Sequence, residues 1–270
     1  MAPKLYTFGL SVWSAVPELA AEELGTPVEP VVINVVEGEN FKPEFLKINP
    51  AGTLPTLVAD DGQVFTNTTD VTKHLIKISS KKVGAGKADI IAKIHEDKYD
   101  PNFILLTVRN EEEFKKAAGG FPSEFVSNRQ SALEKYAAHP DGAQFKDFYD
   151  SKILGNGTIH KIYKGEHSND DFFATSAAHW EAIAGYILND LNDLLPASGF
   201  IDGTEPGETD FHVGAWLTRV AWVAGATPEP EGINALEKEL KGSVPEKVAA
   251  YWKAWIVRPS FKKVYEKTLH

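Results

Sequence analysis

Along the first eighty residues the spacing of apolar positions changes several times, and each change marks an element. Lys4 to Phe8 is β-prone and stops at Gly9; Val12, Trp13, Val16, Leu19, Ala20 and Leu24 then recur at helical spacing until Gly25. A strand leading into a helix is predicted. Pro30 to Val36 is an apolar run rich in β-branched residues, which predicts a buried strand, and Pro43 to Ile48 predicts a short helical turn. Thr56 to Ala59 and Val64 to Phe65 flank Asp60-Asp61-Gly62, the signature of a hairpin. From Asn67 the spacing is helical again, with Val71, His74, Leu75 and Ile78 on one stripe.

The succession strand, helix, strand, helix, strand, strand, helix predicts an α/β N-terminal domain of thioredoxin-like topology over residues 1–79. Residues 80–87, which include Lys81-Lys82 and Gly84-Ala85-Gly86, read as a linker. An all-α C-terminal domain is predicted over residues 88–270. Ala177, Trp180, Ile183, Ala184, Ile187, Leu188, Leu191 and Leu194 make one helical face, and Phe211, Ala215, Trp216, Val220 and Val223 make another. Between Ala138 and Thr175 the breakers His139-Pro140-Asp141-Gly142, Gly155-Asn156-Gly157 and Ser168-Asn169-Asp170-Asp171 predict a long loop-rich insertion that walls a binding site.

Composition removes several classes of function. A net charge of -10 disfavours nucleic acid as a partner. With no cysteine there is no disulfide, no Cys-ligated metal and no protein thiolate, so any thiol chemistry must use a ligand's thiol. Met1-Ala2-Pro3-Lys4 lacks the apolar core of a signal peptide and no apolar run reaches the ~20 residues of a membrane span, so a cytoplasmic protein is expected. The sequons at Asn67 and Asn156 are then expected to stay unmodified.

Two places in the first domain can carry chemistry. The turn Gly9-Leu10-Ser11-Val12-Trp13-Ser14 joins the first strand to the first helix, where unpaired N–H groups and the helix dipole favour an anion. A serine hydroxyl there, Ser11 or Ser14, can donate to a ligand thiolate. Either can also be a plain N-cap; Ser14 is the expected cap, because capping at Ser11 would put Pro17 in the helix interior. The second place is Asn49-Pro50-Ala51-Gly52-Thr53-Leu54-Pro55-Thr56-Leu57. Pro55 enters a short strand and is expected to be cis, leaving the backbone of Leu54 open to a peptide.

Other motifs fall away. Gly9-Leu10-Ser11-Val12-Trp13 lacks the last glycine of a nucleophile elbow, and the eight histidines give no pair at metal-ligand spacing, so no metal is expected. His95-Glu96-Asp97 reads as a solvated helix face. Asn67-Thr68-Thr69-Asp70 opens the third helix as a cap or as a carboxylate site.

In order and spacing these segments resemble the soluble glutathione transferases. The run NPAGTLPTL resembles that family's cis-proline motif, and VFTNTTDVTKHL resembles the segment that usually carries Glu-Ser where Asn67-Thr68 stand. Tyr251-Trp252-Lys253-Ala254-Trp255 and Arg258-Pro259-Ser260-Phe261-Lys262 resemble its terminal helices. The resemblance implies glutathione as co-substrate. Leu54, beside Thr53 and Pro55, would pair its backbone with the cysteinyl part, Asn67 and Thr68 would hold the γ-glutamyl carboxylate, Lys42 would meet the glycyl carboxylate, and Trp13 would complete the glutathione-binding set. Asn67 departs from the usual acid and loses a charge partner for the ligand's α-amino group. Gly207 departs too, since the family often caps a core helix with Ser or Thr three residues before Asp210.

Counting back from Gly25, Ser11 falls where serine-type transferases keep the active hydroxyl. Phe8-Gly9 followed by Ser14-Ala15-Val16-Pro17 instead resembles bacterial β-etherases and fungus-specific transferases, which point to Ser14. The implied protein is a homodimeric detoxification transferase that conjugates glutathione to, or uses it to cleave, an apolar or aromatic electrophile held near Trp13. The rival is a ligandin-type binding protein for aromatic small molecules, with little turnover.

Overall fold

Strand β1 (Lys4–Thr7) lies at the centre of a four-stranded sheet that also holds β2 (Glu29–Val32), β3 (Thr56–Val58) and β4 (Val64–Phe65). The strand order is β2-β1-β3-β4, with β1 parallel to β2, and antiparallel pairing of β1 with β3 and of β3 with β4. The computed structural model describes residues 2–270; Met1, where the predicted first domain begins, lies outside them. The run from Pro30 yields a shorter strand than its composition predicts. β2 is an edge strand, with Val32 68% exposed, which is where a proline is tolerated in a sheet.

Helix α1 (Val12–Leu24) packs on α3 (Thr68–Ile78) and closes at Gly25, whose φ of 64° is the left-handed conformation that glycine adopts without strain. Its N-cap is Ser11 and not Ser14: the Ser11 hydroxyl oxygen accepts from Ser14 N at 3.2 Å. Pro17 therefore does stand inside the helix, where no N–H is available for the Trp13 carbonyl. Burial offsets that loss, since ten of the thirteen helix residues, Pro17 among them, are buried.

Between β2 and β3, the short α2 (Pro43–Leu46) leads into the loop that ends at Leu54-Pro55, a cis peptide. Asn49 fixes that loop from within. Its Nδ2 donates to Thr53 O at 2.9 Å and to Thr56 Oγ1 at 2.8 Å, while its Oδ1 accepts from Ala51 N at 3.0 Å.

The rest of the chain is helical: α4 (Ala88–Ile94), α5 (Glu111–Ala118), α6 (Phe121–Ala137), α7 (Lys146–Tyr163), α8 (Asp170–Tyr186), α9 (Asn192–Leu194), α10 (Glu208–Val223), α11 (Glu237–Leu240), α12 (Glu246–Ile256) and α13 (Pro259–Val264). The expected all-α architecture is present, but residues 138–175 are not loop-rich. His139-Pro140-Asp141-Gly142 makes a tight helical turn joining α6 to α7, and Gly155-Asn156-Gly157 lies within α7. Packing overrides the low helix propensity of glycine there. Asn156 Nδ2 donates to Val126 O and Gln130 Oε1 on α6, and Gly157 faces Gln130 at ordinary contact distance. Ser168-Asn169 ends as the entry to α8.

The largest hydrophobic cluster joins the two parts of the chain. Val12, Val16 and Leu19 of α1 meet Phe211, Trp216 and Val220 of α10, with Trp252 and Trp255 of α12 behind them. Helix α10 is buried along nearly its whole length, so its N-terminus needs partners, and the departure at Gly207 becomes intelligible. Asp202 takes the capping role, its carboxylate accepting from Thr209 N at 2.8 Å, and a Cβ at Gly207 would stand 2.6 Å from that carboxylate. Asp210 in turn accepts from Gly207 N, Ile201 N and Asp202 N. Among the described residues no helix is long and apolar enough to cross a membrane.

Candidate active site

A cleft of about 1010 Å³ opens between the sheet side and the helical part of the chain. Its lining brings together Ser11, Trp13, Thr53, Leu54, Asn67 and Thr68, drawn from three separate segments of sequence. Ser14, Lys42 and Pro55 do not line it.

Ser11 is half-buried at the start of α1. Its oxygen accepts the capping bond through a lone pair, which leaves the hydroxyl proton free to donate toward the cleft. Ser14 is fully buried one turn on, and its Oγ has no hydrogen-bond partner among the described residues. Neither the N–H nor the C=O of Leu54 is hydrogen-bonded to another group among the described residues. An extended peptide could pair with both.

At the start of α3, Asn67 is the N-cap. Its Oδ1 accepts from Asp70 N at 2.8 Å and its Nδ2 donates to Asp70 Oδ2 at 2.7 Å, so both ends of the amide are engaged with one neighbour. Thr68 is buried beside it, with its carbonyl accepting from Thr72 Oγ1. Lys42 points elsewhere: its ammonium pairs with Glu39 at 2.8 Å, and the pair holds the Glu39 carboxyl below its ordinary range.

Trp13 is committed to the structure although one face of it reaches the cleft. Its Nε1 donates to Asp100 Oδ1 at 3.0 Å and its ring stacks on His95 at 3.7 Å between centroids. His95 is thus not on a solvated face; its Nε2 lies 3.0 Å from His212 Nδ1. Burial pushes the pKa of His95 down to about 4 and that of His212 well below its ordinary value, so this is a neutral pair at pH 7. Among the described residues no group of three or more His, Cys, Asp or Glu side chains is placed to hold a metal ion.

Arg219 of α10 and Arg129 of α6 also line the cleft, and neither is marked by a sequence motif. Arg219 is 1% exposed, and burial brings its pKa down to about 10 against the opposing influence of Asp100. A signal for it does exist in the sequence: it interrupts the apolar stretch of α10 directly before Val220. Arg129 has no such signal, because α6 is polar along much of its length.

Residues 5–82 match the family model of the glutathione S-transferase N-terminal domain. Glutathione S-transferase D7 of Drosophila melanogaster is 37% identical over 73 residues, which are 27% of this chain and only 32% of that protein's length. Tetrachloro-p-hydroquinone reductive dehalogenase of Sphingobium chlorophenolicum is 23% identical over 231 residues, covering 82% of this chain and 86% of that one. The crystal structure of the β-etherase LigF from Sphingobium sp. strain SYK-6 superposes with a TM-score of 0.57 at 16% identity, over 99% of this chain and 100% of LigF, a likeness of fold. The mixed four-stranded sheet lies within the stretch that matches the glutathione S-transferase N-terminal domain, and the helical remainder of the chain follows it in the same overall fold as LigF.

Proposed function

We propose that the protein is a glutathione transferase in which Ser11 activates the thiol of bound glutathione. The observation that carries this reading is that Ser11, with a free hydroxyl proton, shares one cleft with the unpaired backbone of Leu54. Leu54 would hold the cysteinyl unit, next to Thr53 and the cis Pro55, and the start of α3 at Asn67 and Thr68 would receive the γ-glutamyl carboxylate. The sulfur then lies near the N-terminus of α1. There the Ser11 hydroxyl and the helix dipole both favour the anion, bringing a thiol of ordinary pKa ~8.5 into its ionised form near neutral pH. Residues 1–79 form the glutathione-binding part, 80–87 the linker, and 88–270 complete the electrophile site.

The thiolate attacks an apolar or aromatic electrophile, either adding to it or displacing an ether oxygen. Electrons flow from sulfur to the electrophilic carbon. In displacement the ether oxygen departs with the bonding pair, whereas in an addition the π pair moves onto the acceptor. In either case the proton lost from the thiol to solvent is balanced by protonation of that oxygen or acceptor. A homodimer acting in the cytoplasm accompanies this reading. Ser11→Ala and Ser14→Ala, assayed separately with glutathione and an aromatic electrophile, test it. Loss of turnover in Ser11→Ala alone is expected; full turnover in Ser11→Ala would remove Ser11 as the thiolate donor.

A ligandin-type role is the second reading, and the engaged amide of Asn67 favours it, because that side chain must leave Asp70 to serve a ligand. The cleft is also large for a single small molecule, at the upper end of the usual range of about 300–1,000 Å³. Calorimetry with glutathione beside an aromatic dye separates the two. Tight dye binding with no glutathione affinity would favour the ligandin.

A further inference from the structure

The wall of the cleft formed by α6 and α7 carries two cations without counterions. Arg129 of α6 and Lys152 of α7 both line it. The Arg129 guanidinium lies over Phe41 at 4.6 Å and over Phe125 at 5.2 Å, and the Lys152 ammonium stands 5.8 Å from the Phe148 ring. Among the described residues no carboxylate pairs with either of them. Burial pushes Arg129 down to about 10, and both burial and the charge of Arg129 push Lys152 below its ordinary range.

Several other long cations of this chain are paired with acids. Arg109 pairs with Glu113 and Glu239, Arg258 with Glu23 and Glu205, and Lys93 with Asp190. With 38 acidic against 28 basic side chains, acids are not scarce. Yet Asp100 is the one acid in the described lining, and it is already bonded to Trp13 Nε1 and Asn102 N. Lys152 is exposed and keeps its water, but the half-buried Arg129 guanidinium, set between Phe41 and Phe125 with no acid beside it, is stabilised if an anion joins it.

We propose that Arg129 and Lys152 form an anion subsite that takes the carboxylate of an aromatic acid, its ring resting on Phe121 and Phe125 of the same wall. Phe41 and Phe125 keep the guanidinium oriented, and a charge-assisted bond to Arg129 fixes the acid at one end of the cleft. The inference rests on the proposed function only in taking this cleft as the place where the second substrate binds. The same chemistry could come from a carboxylate of glutathione itself, so the experiment includes both sources.

The test measures binding of 2-naphthoic acid and its methyl ester, by quenching of tryptophan fluorescence, to the wild type, Arg129→Met, Lys152→Met and the double variant. Thermal melts check that each variant is folded, and Arg129→Lys serves as the rescue. Wild type should prefer the acid over the ester by about tenfold or more, as one charge-assisted bond allows, and the double variant should lose that preference. A parallel titration uses glutathione and γ-glutamylcysteine, which lacks the glycyl unit. If the double variant weakens glutathione about tenfold but not γ-glutamylcysteine, the subsite stands with glutathione as the source of its anion. Unchanged binding of the acid and of glutathione in the folded double variant, or in folded Lys152→Met and Arg129→Met if the double does not fold, would overturn the subsite. Because the readout with naphthoic acid needs no turnover, absence of transferase activity would leave this result interpretable.

Discussion

Arg219 of α10 donates a hydrogen bond from its guanidinium to the carbonyl oxygen of Leu10, which fixes a buried cation one residue before the serine that starts α1. Among the described residues its Nε has no hydrogen-bond partner. The charge therefore acts in the same direction as the dipole of α1, favouring an anion at the mouth of Ser11.

Replacing Arg219 should thus change the protonation of bound thiol as well as the rate. Arg219→Met is expected to lower turnover at pH 7 by about tenfold and to move the acidic limb of the kcat/KM profile up by about one pH unit. Arg219→Lys should recover part of both. A pH–rate profile of the three proteins, with thermal melts alongside, checks this; a fall in rate without any displacement of the profile would limit Arg219 to a packing role.

The two duties of Ser11 can be separated by the choice of replacement. Ser11→Ala removes the cap and should cost about 1 kcal/mol, whereas Ser11→Gly should cost only a few tenths. Both lack the hydroxyl, so both should lose turnover equally. Urea unfolding compared with activity distinguishes them: activity that follows stability instead of the hydroxyl would speak against a chemical role.

Glu18 supplies a pH dependence of stability. Its carboxylate accepts from the Thr7 hydroxyl, and burial raises its pKa to about 7 against the opposing effect of that bond. Between pH 4.5 and about 7 the folded state holds a proton that the unfolded chain releases, so this group's contribution is intact below pH 4.5 and declines as pH rises through 7. Glu18→Gln, which stays neutral, should match the wild type at pH 4 and exceed it by about 2 kcal/mol at pH 8. Denaturant melts at the two values decide it; an equal difference at both would exclude ionisation as the cause.

Gly155 stands inside α7 with nothing within 4 Å of the position a Cβ would take. Gly155→Ala should therefore stabilise the protein by about 0.5–1 kcal/mol, read as a small rise in Tm. A lower Tm would contradict the helical state of this stretch.

The glycines of α7 also show where sequence reading fails. Breaker residues predict loops from local propensity, but Asn156 and Gly157 are helical because α6 packs against them, through residues 26 to 30 positions earlier that a local window does not reach. Pro17 misleads in the same way: its local cost argues for a cap at Ser14, and the burial of α1 outweighs it. Leu54-Pro55 was readable because the constraint is local, a proline at the entry to a short strand following Asn49, whose side chain holds the turn. Arg129 and Lys152 carry no pattern of their own, whereas Arg219 at least interrupts the apolar stretch of α10. What distinguishes Arg129 and Lys152 is the absence of an acid nearby, and only the folded chain reveals that.

The central claim, that Ser11 ionises the thiol of glutathione, is tested most directly by ultraviolet titration of the thiolate in the complex with glutathione, for the wild type, Ser11→Ala and Ser14→Ala. The predicted result is a bound thiol with a pKa below 7 in the wild type and in Ser14→Ala, returning toward the free value of about 8.5 in Ser11→Ala. A thiolate that persists in Ser11→Ala, or that is lost only in Ser14→Ala, would contradict it.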